Sequence, residues 1–284
     1  MNRKLTRINA NGKWVGFFLL ALVLSAMAAD PDEMLLQDAV RYATTPAKRD
    51  RKEEAHEELM KRGAEGLRLV MRFVHTENIG VQGLAFEMVE KLDDRPVASV
   101  LVDFLGDEHP QTRQMAAWLL GFCDTPEYAG AVQALLADEK ACGAAMRTLG
   151  KWKVRNAAPA ILPFVKHERE TRRVAAINAL RDIGDLVAIP ALLEALGDPY
   201  FTVREAAARA LGSLGAPAEK ALLRELPGAE DPARRHIIRT LGVMRARRAA
   251  GALRRLLKNP DPFVREDAVE SLKQMEPGRG IRTR

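Results

Sequence analysis

The chain has 284 residues, 47% of them hydrophobic, 29% charged and only 5% aromatic. That is enough apolar material for a large core, and the dominance of Ala and Leu over aromatics favours helix over sheet. The formal charge is +6, but residues 1–28 hold four basic and no acidic residues, so much of the basicity belongs to the start of the chain.

In chain order, Arg3, Lys4, Arg7 and Lys13 come with an apolar run from Trp14 to Leu24. About eleven residues suit a signal-peptide core and fall short of the roughly twenty needed to span a bilayer. Ser25-Ala26-Met27-Ala28 offers a small-residue cleavage site. Residues 1–28 therefore read as a secretory signal cleaved near Ala28, with a retained anchor as the alternative. The expectation is an exported, periplasmic or cell-envelope protein with no transmembrane span in the mature chain. From Arg234 to Arg284 there are fourteen Lys/Arg against five Asp/Glu, which leaves residues 29–233 net acidic. The mature chain is expected to be acidic early and basic late.

Residues 29–46 form a lead-in, and a repeat follows over 47–276. Its reference positions are Leu59, Val89, Leu120, Leu149, Leu180, Leu211, Leu241 and Leu272, spaced 30, 31, 29, 31, 31, 30 and 31 residues apart. Four residues before each stand Ala55, Ala85, Ala116, Ala145, Ala176, Ala207, Ile237 and Ala268. Three residues after them the slot is mostly apolar, with Arg62 the exception. Slots −4, 0 and +3 share one helical face, the stripe that must be buried. Second amphipathic segments lie between, as at Val97–Leu105, Pro159–Val165 and Ile189–Leu196, with Pro159, Pro190 and Pro217 near their starts. Each unit predicts a helical hairpin that cannot bury its own apolar face. Stacked, about eight such units give an all-α, α-α superhelical solenoid. After Met275 no second helix is expected, so the eighth unit is incomplete and 277–284 is a basic tail.

The segment Asp198–Gly215, DPYFTVREAAARALGSLG, followed by a second Ala- and Leu-rich stretch, resembles HEAT-type repeats. More narrowly it is similar to the short, Ala-rich repeats of phycobilisome-lyase-type proteins. The resemblance spans roughly Ala47 to Met275 and weakens around Thr76–Asp94, where Gly80 and Gly83 replace the usual opening. It implies a superhelix whose second-layer helices line the concave groove. It does not imply one function, since that scaffold carries adaptors, chaperone-like binders and a few enzymes.

No catalytic constellation stands at fixed positions, and no cofactor is implied. His56-Glu57 and His167-Glu168 invite comparison with deoxyhypusine hydroxylase, a HEAT-like enzyme with iron on His-Glu pairs, but the two pairs occupy different registers. A lyase-type or metal-dependent enzyme is kept as the alternative. Slot −7 reads Lys52, Gln82, Arg113, Cys142, Arg173, Arg204, Arg234 and Arg265, a ladder expected to bind loop carbonyls or carboxylates such as Asp107, Asp198 or Asp261. Cys123 at +3 and Cys142 at −7 are offset by about 15 Å along neighbouring helices, which predicts two unpaired thiols. Trp152 occupies an apolar slot and should be core. Trp118 occupies slot −2, otherwise polar, and is either a partner anchor or cover for a local irregularity. Arg247, Arg248, Arg254, Arg255 and Lys258 form the last basic cluster. They are a solvated face, a surface for an acidic protein partner, or one for an anionic envelope surface. Nucleic acid is disfavoured because no aromatic residue interleaves with them. The reading is a non-catalytic protein-binding scaffold using the concave face, with Trp118 and that basic cluster as candidate contacts.

Overall fold

The computed structural model describes residues 30–275; the leader-like residues 1–28 and the basic tail lie outside the described residues. Sixteen α-helices follow one another with no strand among the described residues. They are α1 (Pro31–Val40), α2 (Pro46–Lys61), α3 (Ala64–Met71), α4 (Ile79–Lys91), α5 (Asp94–Asp103), α6 (Pro110–Leu120), α7 (Ala129–Ala134) and α8 (Cys142–Lys151). Then come α9 (Ala158–Ile161), α10 (Glu170–Ile183), α11 (Ile189–Ala195), α12 (Phe201–Ser213), α13 (Ala216–Glu225), α14 (Ala233–Val243), α15 (Ala250–Leu256) and α16 (Pro262–Met275). The even-numbered helices from α2 carry the eight reference residues and form a first layer; from α6 to α16 each stacks on the next, most extensively α8 on α10 and α14 on α16. The odd-numbered helices from α3 form the second layer. Counted from α2, the last unit shows α16 among the described residues.

The expected stripe is the core. All eight reference residues and all eight slot −4 residues are buried. Trp152 in slot +3 is half-buried, and its indole N–H donates to the Cys123 carbonyl of the preceding repeat at 2.7 Å. Polar groups also cross between first-layer helices: Thr148 donates to the Ala117 carbonyl at 2.6 Å and Ser271 to the Ile238 carbonyl at 3.0 Å. Each satisfies a buried hydroxyl that would otherwise cost about 1–3 kcal/mol.

The lead-in is itself helical. Asp30 caps α1 by accepting from the Asp32 N–H at 3.0 Å, and Pro31 starts it where a missing N–H costs nothing. Leu36 and Ala39 are buried against the array, and Asp32 pairs with Arg62 at 2.6 Å. This explains the one charged residue in slot +3: Arg62 meets α1 instead of another first-layer helix. In the weakly matching region, Asn78 caps α4 through the Gly80 N–H at 2.8 Å. Gly80 is needed there because a Cβ would lie 2.9 Å from Val40.

The slot −7 ladder is structural. Arg113 donates to the carbonyls of Asp107 and Glu108 and to the Asp138 carboxylate at 2.7 Å. Arg173 donates to the carbonyls of His167 and Glu168 and to Asp198 at 3.0 Å. Arg204 and Arg265 bond only the two turn carbonyls before their helices. Arg234 breaks the pattern: Arg235, beside it, pairs with Asp267 at 2.6 Å instead. Among the expected carboxylates only Asp198 serves as one; Asp107 contributes its carbonyl.

Two substitutions separate these roles. Arg173→Ala leaves a carboxylate and two carbonyls without their partner and should cost about 3–5 kcal/mol. Arg248→Ala, on an exposed side chain, should cost under about 0.5 kcal/mol. Urea midpoints of the two variants check the contrast, and similar midpoints would overturn the ladder's structural role.

Candidate functional site

Slots −2 and −6 of the first-layer helices face away from the second layer, and these two slots line the grooves of that face. A groove of about 1090 Å³ crosses α4, α6, α8 and α10. Gln82 of α4, Gln111, Gln114, Met115 and Trp118 of α6, and Gly143, Ala144 and Arg147 of α8 line it. Glu77, Glu139, Lys140, Arg169, Thr171, Arg172 and Ala175 complete the lining from the turns and from α10. Smaller grooves lie on the same slots at the two ends, one on α2 with His56 and Glu57, the other between α14 and α16 with Arg239 and Glu270.

The central groove opens where the repeat is shortest. Only 29 residues separate Leu120 from Leu149. From the turn residue Asp198 to Leu211 is thirteen residues, whereas from Asp138 to Leu149 is eleven. The two missing residues fall in the first turn of the helix. Accordingly α8 begins at Cys142, in slot −7, while α6, α10, α12 and α16 begin in slot −10. The ladder Arg is absent from this repeat, and Cys142 stands in its place. Its thiol lies 3.8 Å from the Glu139 carbonyl. Arg172 of α10 reaches into the gap and donates to that same carbonyl. It passes over Gly143, where a Cβ would lie 2.8 Å from the guanidinium. A larger residue there would push Arg172 off and fill the groove.

One wall is aromatic. Trp118 stacks on Phe86 at 5.5 Å and meets Phe122 edge-on at 5.0 Å. Lys151 caps the cluster, its Nζ 3.6 Å from the Phe122 ring centroid. Burial, with Arg147 nearby, lowers the Lys151 pKa. Beneath α8, burial raises the Asp138 pKa, but the Ala141 N–H, the Arg113 guanidinium and the Lys140 N–H outweigh it and hold the carboxyl below its usual range. Trp118 thus covers an irregularity in the stack and also presents a face to the groove.

The other candidate contacts are elsewhere. Arg247, Arg248, Arg254, Arg255 and Lys258 are exposed around α15, a second-layer helix, and none lines the groove. The groove lies on the first layer, where slots −2 and −6 stand free, whereas the basic cluster surrounds a second-layer helix. Arg254 and Arg255 in the last turn of α15 have a plain local role, favourable contact with the helix carboxyl end. His56 pairs with Glu87 at 3.0 Å, and the His167 ring accepts the Arg169 N–H at 3.0 Å. The two His-Glu pairs stay apart, and no group of three potential metal ligands occurs among the described residues.

Sequence reasoning missed Arg147, Lys140 and the three glutamines. The available signal was the 29-residue spacing, which places Cys142 and Gly143 beside a Trp in an otherwise polar row.

HEAT repeats match the chain over residues 138–212, 173–233 and 219–280, together half of its length. No curated protein sequence matches the chain. Among solved structures, the complex of CpcE and CpcF of phycocyanin lyase from Nostoc sp. PCC7120 is similar at 20% identity and TM-score 0.45, over 74% of this chain and 94% of that one. The Escherichia coli protein YibA is similar at 16% identity and TM-score 0.48, over 83% and 87%. Human deoxyhypusine hydroxylase in complex with glycerol is similar at 19% identity and TM-score 0.35, over 86% and 95%.

Cys123 and Cys142 are buried free thiols, and burial raises both pKa values, that of Cys123 to about 12 with Asp94 adding to the effect. Neither should react with a disulfide reagent at pH 8 until the protein unfolds, when both should. The folded Cys123 pKa lies above the unfolded value, so its contribution to stability is whole below about pH 9 and shrinks as pH rises toward 12. Cys123→Ala should flatten that alkaline loss in urea titrations; rapid native labelling at pH 8 would contradict the burial.

Proposed function

The chain belongs to the HEAT-repeat family, and on that footing we propose that it is a non-catalytic protein-binding scaffold whose partner lies in the groove across α4, α6, α8 and α10. The observation that carries this reading is the groove's form. At about 1090 Å³ it exceeds the usual 300–1,000 Å³ of a small-molecule pocket, and it is an open trough across four helices. Its lining mixes an aromatic wall with amide and charged side chains and ends in no enclosed cavity. A trough of this kind suits a length of polypeptide held by many shallow contacts. Trp118 supplies the large, stiff side chain that such interfaces use as an anchor.

In this reading the leader-like residues 1–28 direct the chain out of the cytoplasm, so the partner is a protein of the cell envelope. The uneven charge along the chain orients that partner during encounter.

A photo-crosslinking side chain placed at Gln114 should capture one discrete protein in cells, and the same group at Arg248 should not. Trp118→Ala should reduce that crosslink at least fivefold with the fold unchanged by circular dichroism. Equal capture from both positions, or capture indifferent to Trp118, would overturn the assignment of the groove.

A further inference from the structure

Slot −2 provides a comparison that the repeat itself controls. In seven of its eight positions the residue is either uncharged or pairs with an opposite charge on the protein. Glu57 pairs with Lys61 at 3.8 Å, Glu87 with His56 at 3.0 Å and Lys91 at 2.7 Å, and Arg209 with Glu205 at 3.8 Å. Arg239 pairs with Asp267 at 2.8 Å and Glu270 with Lys273 at 3.6 Å. Trp118 and Asn178 are the uncharged members. Among the described residues Arg147 alone in this row has a charge and no ion pair or hydrogen bond, and it lies in the central groove.

The rest of the lining sharpens the imbalance. Arg169 and Glu139 offset one another at 2.7 Å, and Arg172 is committed to the Glu139 carbonyl. The Lys140 ammonium, like Arg147, has no carboxylate partner among the described residues. Lys140 and Arg147 at the start and middle of α8, with Arg172 reaching in from α10, are therefore three cations that no carboxylate of the described residues offsets. Glu77, the acidic lining residue outside any ion pair, belongs to the α4 end of the trough. The trough thus has a positive centre and a negative end.

The amides decide the backbone form of the occupant. The side-chain amides of Gln82, Gln111 and Gln114 make no hydrogen bond within the chain among the described residues, and each offers a donor and an acceptor. A helix would satisfy its own backbone groups and leave these amides idle. An extended segment presents N–H and C=O groups that they can match. Three interhelix steps of about 9 Å make a trough about 27 Å long, which an extended chain crosses in about eight residues.

Resting on the groove assigned above, we infer that its occupant is an acidic, extended polypeptide segment. Its carboxylates meet Arg147 and Lys140, and an apolar side chain lies against Trp118 and Met115. The charged rim of the trough then discriminates among partners and the aromatic wall supplies most of the affinity.

Three fluorescein-labelled octapeptides test this on the full chain by anisotropy: alternating Glu and Phe, the same peptide with Gln for Glu, and the same with Lys for Glu. The acidic peptide should bind at least tenfold tighter than the Gln peptide at 50 mM salt, with the preference shrinking at 300 mM. Arg147→Gln should reduce that preference several-fold and Arg147→Glu should abolish it, whereas Arg248→Glu should not change it. Equal binding of the acidic and Gln peptides would overturn the inference and leave the groove's peptide-binding role standing. Loss of preference with Arg248→Glu but not Arg147→Glu would overturn it too. Binding of none of the three, together with no crosslink from Gln114, would remove the groove assignment itself.

Discussion

Close approach between successive first-layer helices is the constraint on which the rest of the structure depends. Seven of the eight slot −4 positions are Ala, and slot +1 is Gly in several repeats. At Gly150 a Cβ would lie 3.0 Å from the Ala179 Cα, and at Gly242 one would lie 2.8 Å from the Ser271 Cα. Backbone this close leaves no space for a larger side chain in either position. It also brings hydroxyls within reach of carbonyls one repeat away, as at Thr148 and Ser271. Each helix therefore gains its burial from its neighbours, and a single hairpin removed from the stack would expose its apolar stripe.

The Arg ladder follows from the same geometry. Tight stacking of short helices leaves turns whose carbonyls have no partner in either helix, and a buried guanidinium supplies up to five donors to them. Arg173 is nearly buried, and the charge is tolerable only because Asp198 and two carbonyls surround it. The carboxylate comes from twenty-five residues later, at Asp138 for Arg113 and Asp198 for Arg173. For Arg204 that position is Ala229, and its bonds stop at the carbonyls. A row of basic residues that looks like a ligand site in the sequence is thus consumed by the fold.

Which residues are buried was legible because burial repeats. Leu211 and Ala207 could be placed in the core from spacing alone, and so could the free state of Cys123 and Cys142. Trp118 was visible as the wrong residue type for its row. Other features were hidden for a physical reason: they depend on what a side chain meets across the stack, and the period says nothing of that. Arg147 looks like Arg209 or Arg239 in register, and only their neighbours tell them apart. The basic residues around α15 drew attention by composition, yet they sit on the layer that turns away from the groove. The helix at Pro31–Val40 carries no copy of the reference stripe, so periodicity passed over it, although Leu36 and Ala39 are buried by it.

A well-formed repeat leaves little free on this face, since its charged side chains pair within their own helix or with the next repeat, as Arg209 does with Glu205 and Arg239 with Asp267. Binding capacity in such an array should therefore concentrate where the repetition is broken. Here the break is two residues lost before Cys142. It removes a turn of α8, takes away the ladder Arg and lets Arg172 cross over Gly143. It also lowers one rim of a trough whose other rim is Trp118. The unpaired charge of Arg147 follows too, because the slot −6 position one turn before it is Gly143, where α12 has Glu205 to hold Arg209. One local shortening thus places a space and an unpaired cation beside an aromatic side chain.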